Sequence, residues 1–108
     1  MTNVVSLERF RVEKAIKKAE AETQHNKNLH LNLAVSYGGR WDIINAVQKM
    51  VAEKIPAEHI TEELFENYLS TAGLPAPDLI IRPGGEMRLS NFVLWQGAYA
   101  ELYFSQKI

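Results

Sequence analysis

The sequence predicts an α/β fold in which a partial, mostly parallel sheet is flanked by helices. Stretches with apolar residues at helical spacing alternate along the chain with short apolar stretches typical of strands. Two of the predicted strands end at or near a pair of glycines, Gly38-Gly39 and Gly84-Gly85. Only three strands are predicted, which is few for such a sheet. The 108 residues are therefore expected to be one part of a larger domain.

The first half of the chain predicts a helix, a strand and a second helix. Residues 6–24 have near-helical spacing of apolar residues among lysines and glutamates. These apolar residues are Leu7, Phe10, Ile16 and Ala19. Residues 29–37 alternate apolar and polar side chains, which is the period of a strand. The second helix is predicted over residues 40–54, before Pro56. Its predicted apolar stripe consists of Ile43, Ile44, Val47, Met50 and Val51.

The second half predicts a third helix and two more strands. Thr61 is a suitable N-cap for a helix over residues 62–70, whose first turn is acidic. The buried face predicted for this helix consists of Leu64, Phe65, Tyr68 and Leu69. Residues 78–82 are a short apolar run of the kind buried in parallel sheets. Residues 101–104 are the last predicted strand.

Composition excludes several classes of function. The net charge is −1, so general basicity does not attract nucleic acid. The chain has no cysteine, which excludes disulfides and thiol catalysis. No apolar run approaches the ~20 residues of a membrane span, and the N-terminus lacks the pattern of a signal peptide. We therefore expect a cytoplasmic protein that does not span the membrane.

Residues 82–90 have the composition of an anion-binding loop. The loop follows a predicted strand, and parallel sheets bind ligands at the carboxyl ends of their strands. Gly84-Gly85 allow a close backbone approach and can present N–H groups to an anion. Arg82 and Arg88 add guanidinium donors that match phosphate oxygens, and Ser90 adds a hydroxyl.

An alternative interpretation of this loop stays open. It can be an ordinary turn whose arginines are solvated or paired with Glu86. A helix is expected after the loop, with Ser90 or Asn91 as its N-cap, so that its dipole also faces the ligand.

Residues 37–42 repeat the arrangement of a strand end, two glycines and an arginine that opens a helix. By itself this pattern is usual for a strand-to-helix connection. If the strands are neighbours, it brings Arg40 to the same edge of the sheet as Arg82 and Arg88.

Other polar residues carry weaker signals. Glu101 is a single carboxylate at the start of a strand, and such residues are common at strand edges. Magnesium binding needs further oxygen ligands, which substrate phosphates can supply. The histidines have no ligand spacing and are assigned no chemistry; they are His25, His30 and His59.

Taken together, these residues resemble the C-terminal signature of the cis-prenyltransferases, and bacterial undecaprenyl diphosphate synthases are the nearest members. The matching residues are Asp78 to Arg82, Gly84, Gly85, Glu86, Arg88, Ser90, Asn91, Phe92, Leu94, Trp95, Gln96, Tyr99 and Glu101 to Phe104. Residues 37–42 resemble a second motif of the same family. The resemblance covers almost the whole chain, from about Ser6 to Phe104.

The resemblance implies an enzyme that adds isopentenyl diphosphate to an allylic diphosphate and makes polyprenyl diphosphate. It implies that Arg82, Arg88 and Ser90 hold the diphosphate of isopentenyl diphosphate, with the backbone of Leu89 nearby. The fold implied is an incomplete undecaprenyl diphosphate synthase-like fold.

The resemblance also implies supporting roles for the second motif, in which Arg40, Trp41 and Asp42 belong to the substrate site and its ordering. It implies that Glu101 helps to hold Mg²⁺ and that the protein is a homodimer or a higher oligomer.

The chain departs from the family pattern at Pro83, Ser36 and Met87, where members usually have threonine, asparagine and in some cases histidine. The N-terminal part of the family, which binds the allylic diphosphate, is not in this sequence. We therefore expect the C-terminal part of a cis-prenyltransferase domain, inactive by itself. The alternative is a non-catalytic binding or dimerisation module derived from that fold.

Overall fold

The computed structural model describes the backbone of residues 2–108 and the side chains of residues 11–108. The chain divides into two compact units, Met1–Leu33 and Ala34–Ile108. None of the described helices has an apolar stretch long enough to cross a bilayer.

The first unit contains helix α1, Thr2–Thr23. This confirms the helix predicted over residues 6–24. The predicted apolar residues Leu7 and Phe10 lie outside the described side chains. Near its end, the Thr23 hydroxyl donates a hydrogen bond to the Ala19 carbonyl at 2.7 Å.

Residues 29–37 do not form the predicted strand. The alternation is present in the sequence, but its apolar side chains are exposed, from 80% for Leu29 to 65% for Val35. A strand requires a neighbour that exchanges backbone hydrogen bonds with it. No described segment of the chain pairs with these residues, so the pattern alone does not produce a strand.

Helix α2, Gly39–Ala52, confirms the second predicted helix. Of its predicted apolar stripe, Met50 is buried and Ile43 packs against the core, but Ile44, Val47 and Val51 are exposed. Asp42 and Ala46 complete the buried face instead. Residues four apart lie on one face of a helix. The face of α2 that contains the Asp42 carboxylate is therefore the one that packs against the rest of the unit. A prediction based on apolar residues alone placed the buried face to one side of it.

A short 3₁₀ helix, Ala57–His59, leads to helix α3, Glu62–Glu66. The Thr61 hydroxyl accepts a hydrogen bond from the Leu64 N–H at 3.1 Å, which confirms the predicted N-cap. α3 is shorter than predicted, and turns continue after it. The hydrophobic core of the second unit is Ala46, Met50, Phe65 and Leu69, against which Ile43, Ile55, Tyr68 and Trp95 pack.

The sheet has two described strands, β1 (Leu79–Arg82) and β2 (Glu101–Phe104), which pair in parallel. Both strands and their direction confirm the prediction of an α/β fold. β1 was predicted to be fully buried, and this is wrong, because Leu79 and Ile81 are exposed on one face. The helix expected after Asn91 is also absent, and turns lead from there to β2.

Candidate functional site

The loop of residues 82–90 is called here the anion loop. Hydrogen bonds from Arg82, its first residue, to Arg88 and Ser90 near its end hold it closed. Arg82 Nη1, at the end of β1, donates hydrogen bonds to the Arg88 carbonyl at 2.5 Å and to Ser90 Oγ. Arg82 is half-buried, whereas Arg88 and Ser90 are exposed. The structure thus brings together the three residues that the sequence predicted for this site. Leu89 lies between them, and its carbonyl accepts from the Phe92 N–H at 3.2 Å.

The glycines of the loop do not present their N–H groups to an anion, contrary to the prediction. The Gly84 N–H donates to the Lys107 carbonyl at 2.7 Å, and the Gly85 N–H donates to the Ser105 carbonyl at 2.9 Å. Both glycines have positive φ, 97° and 84°, which other residues rarely adopt. Their role is therefore to turn the chain and to attach the loop to the segment after β2.

The guanidinium of Arg88 forms an ion pair with Glu86 at 3.2 Å, as the alternative interpretation expected. Both side chains are more than half exposed. An exposed pair of this kind contributes only about 0.2–1 kcal/mol. A diphosphate, which carries more charge and several acceptor oxygens, can compete with Glu86 for the guanidinium. The ion pair does not exclude anion binding.

The turn before α2 is joined to the segment that follows the anion loop. The Gly39 N–H donates to the Asn91 carbonyl at 2.6 Å, and the Arg40 N–H donates to Asn91 Oδ1 at 2.9 Å. The Gly38-Gly39 turn therefore contacts the residue that follows the anion loop. Residues 29–37 form no strand, so the neighbouring strands that were expected to bring Arg40 to the sheet edge of Arg82 and Arg88 are not found among the described residues. Since Asn91 occupies these two N–H groups, they do not serve as anion donors.

Asp42 lies in α2 and is 1% exposed, so it does not contact a ligand. Its carboxylate accepts four hydrogen bonds. The donors are the Ser70 N–H (2.9 Å), the Ser70 hydroxyl (2.8 Å), the Tyr37 hydroxyl (3.1 Å) and Gln96 Nε2 (3.1 Å). Gln96 also donates to Thr71 Oγ1 at 3.0 Å. These residues are called here the Asp42 network.

The Asp42 network connects the start of α2, the turns after α3 and the segment between the anion loop and β2. Tyr37 further packs edge-on against Phe92, with ring centroids 5.8 Å apart. Asp42 thus acts on the site by ordering the elements around it. The preceding residue, Trp41, is 56% exposed and remains accessible to a ligand.

Hydrogen bonding controls the ionisation of the Asp42 network. Burial, the largest single influence, would raise the pKa of Asp42, but hydrogen bonds from Ser70, Gln96 and Tyr37 together lower it. Burial raises the pKa of Tyr37, and the negative charge of Asp42 and the hydrogen bond to it raise it further. At neutral pH the network therefore holds a carboxylate and a protonated phenol.

The sequence pattern did not indicate Ser70, Thr71 and Gln96 as parts of the network. Ser70 and Gln96 are 28 and 54 residues from Asp42, so no local pattern connects them. An aspartate within an apolar helical stripe was the one available signal.

Glu101 lies away from the anion loop within the chain. In the parallel register Leu79 is opposite Glu101 and Arg82 is opposite Phe104. Glu101 and Arg82 are thus at opposite ends of the strand pair, three residues or about 10 Å apart along it. Among the residues whose side chains are described, no group of three histidine, cysteine, aspartate or glutamate residues could hold a metal ion.

Comparison with known proteins identifies the family. The family model for undecaprenyl diphosphate synthase matches residues 3–108. The isoprenyl transferase of Neisseria meningitidis (serogroup A) is 52% identical over 102 residues, which are 93% of this chain and 40% of the relative. A ditrans,polycis-undecaprenyl-diphosphate synthase of Coxiella burnetii is 56% identical over 88 residues, covering 77% of this chain and 37% of the relative.

A solved structure agrees with these sequence matches. The crystal structure of lavandulyl diphosphate synthase from Lavandula x intermedia, in complex with dimethylallyl diphosphate, superposes with a TM-score of 0.83 and 46% identity. The match covers 88% of this chain and 43% of that one. The chain spans about 40% of the curated relatives that it matches and corresponds to their C-terminal part. The chain belongs to the cis-prenyltransferase family, of the undecaprenyl diphosphate synthase type.

Proposed function

We propose that this chain provides the isopentenyl diphosphate half-site of a cis-prenyltransferase, which adds isopentenyl diphosphate to an allylic diphosphate and makes polyprenyl diphosphate. One observation carries the proposal. Arg82, Arg88 and Ser90 belong to one hydrogen-bonded loop at the carboxyl end of β1. Ligands of parallel sheets bind at this end of the strands.

The geometry of the loop supports binding of a diphosphate. Arg82 holds the loop through Nη1. The positive charge of its guanidinium lies next to Arg88 and Ser90 and adds to the attraction for an anion. Arg88 is held by an exposed and weak ion pair, so its guanidinium can turn to phosphate oxygens. Because Ser90 Oγ accepts from Arg82, its own O–H is directed away from that guanidinium and can donate to an anion. In this arrangement the loop would orient the double bond of isopentenyl diphosphate toward the allylic carbon. The new carbon–carbon bond would form there as the allylic diphosphate leaves, and the isopentenyl unit would then lose a proton.

Replacing Arg88 with alanine tests the half-site. We expect the Kd for isopentenyl diphosphate to rise about 30-fold, since charge-assisted hydrogen bonds contribute about 2 kcal/mol. Titration calorimetry at one fixed salt concentration measures the change. Lys49→Ala is the matched control, because Lys49 is an exposed cation in the last turn of α2. Equal losses in the two variants would mean diffuse electrostatic attraction and would contradict the site.

The 108-residue chain by itself is expected to show no prenyl transfer. The reaction joins two diphosphate substrates, and the proposed site holds one of them. Incubation with radiolabelled isopentenyl diphosphate, farnesyl diphosphate and Mg²⁺ measures this. Any elongated product would show that the chain also binds the allylic substrate productively.

Magnesium, self-association and location complete the proposal. Glu101 is proposed as one oxygen ligand of Mg²⁺, with phosphate oxygens as others, and the ion would neutralise diphosphate charge. Since the described residues provide no metal cluster, no step is assigned to it.

We propose a homodimer or higher oligomer, supported by the exposed apolar face of the sheet at Ile81 and Tyr103. A cytoplasmic location is also proposed, on the basis of the family resemblance.

A further inference from the structure

Asn91 links the anion loop to the start of α2 through two hydrogen bonds. Its carbonyl accepts from the Gly39 N–H at 2.6 Å, and its side-chain Oδ1 accepts from the Arg40 N–H at 2.9 Å. The first N–H groups of a helix have no partner within the helix. Gly38, the N-cap residue of α2, has no side chain to accept from them. Asn91 therefore caps α2 from 51 residues further along the chain.

The same residue directly follows the last residue of the anion loop. Ser90 and the Arg88 carbonyl are bound to Arg82 on one side. Asn91 is bound to α2 on the other side. The loop is thus held at both ends, once by the end of β1 and once by the start of a helix.

The backbone around Asn91 needs such support. Ser90, Asn91 and Val93 have φ of 50°, 62° and 39°, a region that residues other than glycine rarely adopt. Asparagine tolerates it best, and a β-branched valine tolerates it poorly. Residues persist in these conformations when surrounding contacts hold them there. The two bonds to α2 are such contacts.

We propose that Asn91 is a positioning residue for the diphosphate site. By capping α2, it fixes where Arg88 and Ser90 stand, and it sets the affinity for the ligand without contacting it. This inference rests on the proposed function of the anion loop.

The test replaces Asn91 with glycine, which adopts the positive φ and removes the side chain with its Oδ1 acceptor. Thr61→Ala is the matched control, because it also removes one side-chain cap, that of α3. Both variants are expected to lower the melting temperature by ~5 °C. The Kd for isopentenyl diphosphate should rise roughly five- to ten-fold in Asn91→Gly. In Thr61→Ala it should change less than about two-fold, because that cap does not touch the loop.

A spectroscopic signature separates positioning from simple loss of stability. Inorganic pyrophosphate should shift the backbone amide signal of Arg40 in the unchanged chain, since Asn91 connects that amide to the loop. The shift should be lost in Asn91→Gly and retained in Asn91→Asp, which keeps the oxygen acceptor and also tolerates positive φ. A shift that persists in Asn91→Gly would overturn the inference.

The affinity measurements also separate this inference from the proposed function. If Arg88→Ala weakens binding and Asn91→Gly does not, the positioning role is wrong and the half-site stands. If Thr61→Ala weakens binding as much as Asn91→Gly, Asn91 acts only through stability, and the inference fails. If neither Arg88→Ala nor Asn91→Gly weakens binding, the diphosphate site itself is wrong, and this inference falls with it.

Discussion

Replacing Asp42 with alanine is expected to lower the free energy of unfolding of the unit Ala34–Ile108 by at least about 3 kcal/mol. The change removes the acceptor of four hydrogen bonds and leaves the donors of Ser70, Tyr37 and Gln96 without it. An unsatisfied buried donor costs about 1–3 kcal/mol, and these groups relax only in part. Urea unfolding followed by tryptophan fluorescence measures the loss, because Trp95 packs on Phe65 in the core.

Asp78→Ala is the matched control for this substitution. Asp78 is an exposed carboxylate next to β1, and its replacement is expected to change stability by less than about 0.5 kcal/mol. A loss of similar size in both variants would contradict the central role of the Asp42 network.

The same network predicts how stability depends on pH. The pKa of Asp42 in the folded chain lies below its ordinary value of 3.8, so the folded state releases this proton more readily than the unfolded state. The contribution of Asp42 is therefore complete above the unfolded pKa and is lost as the pH falls through the folded pKa. Urea midpoints between pH 7 and pH 2.5 should decline less steeply at the acid end in Asp42→Asn. Parallel curves for the two proteins would contradict the hydrogen-bonded, ionised state of Asp42.

Tyr37 limits stability at the alkaline side. Its pKa is raised above 10.0, first by burial and then by the charge of Asp42. The stabilisation is complete below the unfolded pKa and is lost as the pH rises through the folded pKa. The network is thus most stabilising in the range between these two limits, which includes neutral pH.

Replacing Gly39 with alanine is expected to destabilise the same unit by about 1–3 kcal/mol. This loss is expected even though alanine is more favourable than glycine within a helix by about 1 kcal/mol. The added Cβ would lie 2.7 Å from Leu94 Cγ and 3.1 Å from both the Asn91 carbonyl oxygen and the Leu94 nitrogen. The leucine side chain can move aside, but two backbone atoms cannot do so easily. The start of α2 must then move away from Asn91. Thermal unfolding of the two proteins measures the loss.

The neighbouring glycine offers a control. A Cβ at Gly38 would lie 2.8 Å from Asn91 Nδ2, and its three nearest neighbours are all side-chain atoms. A small shift of Asn91 would relieve this contact at the cost of straining its hydrogen bond to the Arg40 N–H. The backbone at Gly38 is extended, with φ −143°, and accepts alanine. Gly38→Ala should therefore cost less than Gly39→Ala. A larger loss of stability in Gly38→Ala than in Gly39→Ala would show that contact with the backbone of residues 91–94 is not what disfavours a side chain at residue 39.

Local signals in the sequence were sufficient for several features. The helical period predicted α2, the acidic turn after Thr61 predicted the start of α3, and the short apolar run before Arg82 predicted β1. Each of these depends on residues within one or two turns of chain, where spacing and capping chemistry act directly. The family resemblance also followed from the sequence, and the family match confirms it.

Other features depended on which distant segments meet. Alternation over residues 29–37 has the correct period for a strand, yet a strand also needs a partner, and none of the described segments provides one. The glycine N–H groups of the anion loop were expected to face an anion, but packing after β2 brings the carbonyls of Ser105 and Lys107 to them. A backbone donor takes whichever acceptor the fold supplies.

By itself, the sequence determined the family, the order of α2, α3, β1 and β2, and the residue types of the anion loop. These follow from local period, capping chemistry and the position of glycines and arginines along the chain. Only the tertiary structure decided that Asp42 is buried as an acceptor, that Asn91 caps α2 and that Glu101 stands at the far end of the strand pair from Arg82. The physical reason is that a hydrogen bond depends on distance in space. Ser70 and Gln96, which bind Asp42, and Asn91, which binds Arg40, lie 28 to 54 residues away from them along the chain.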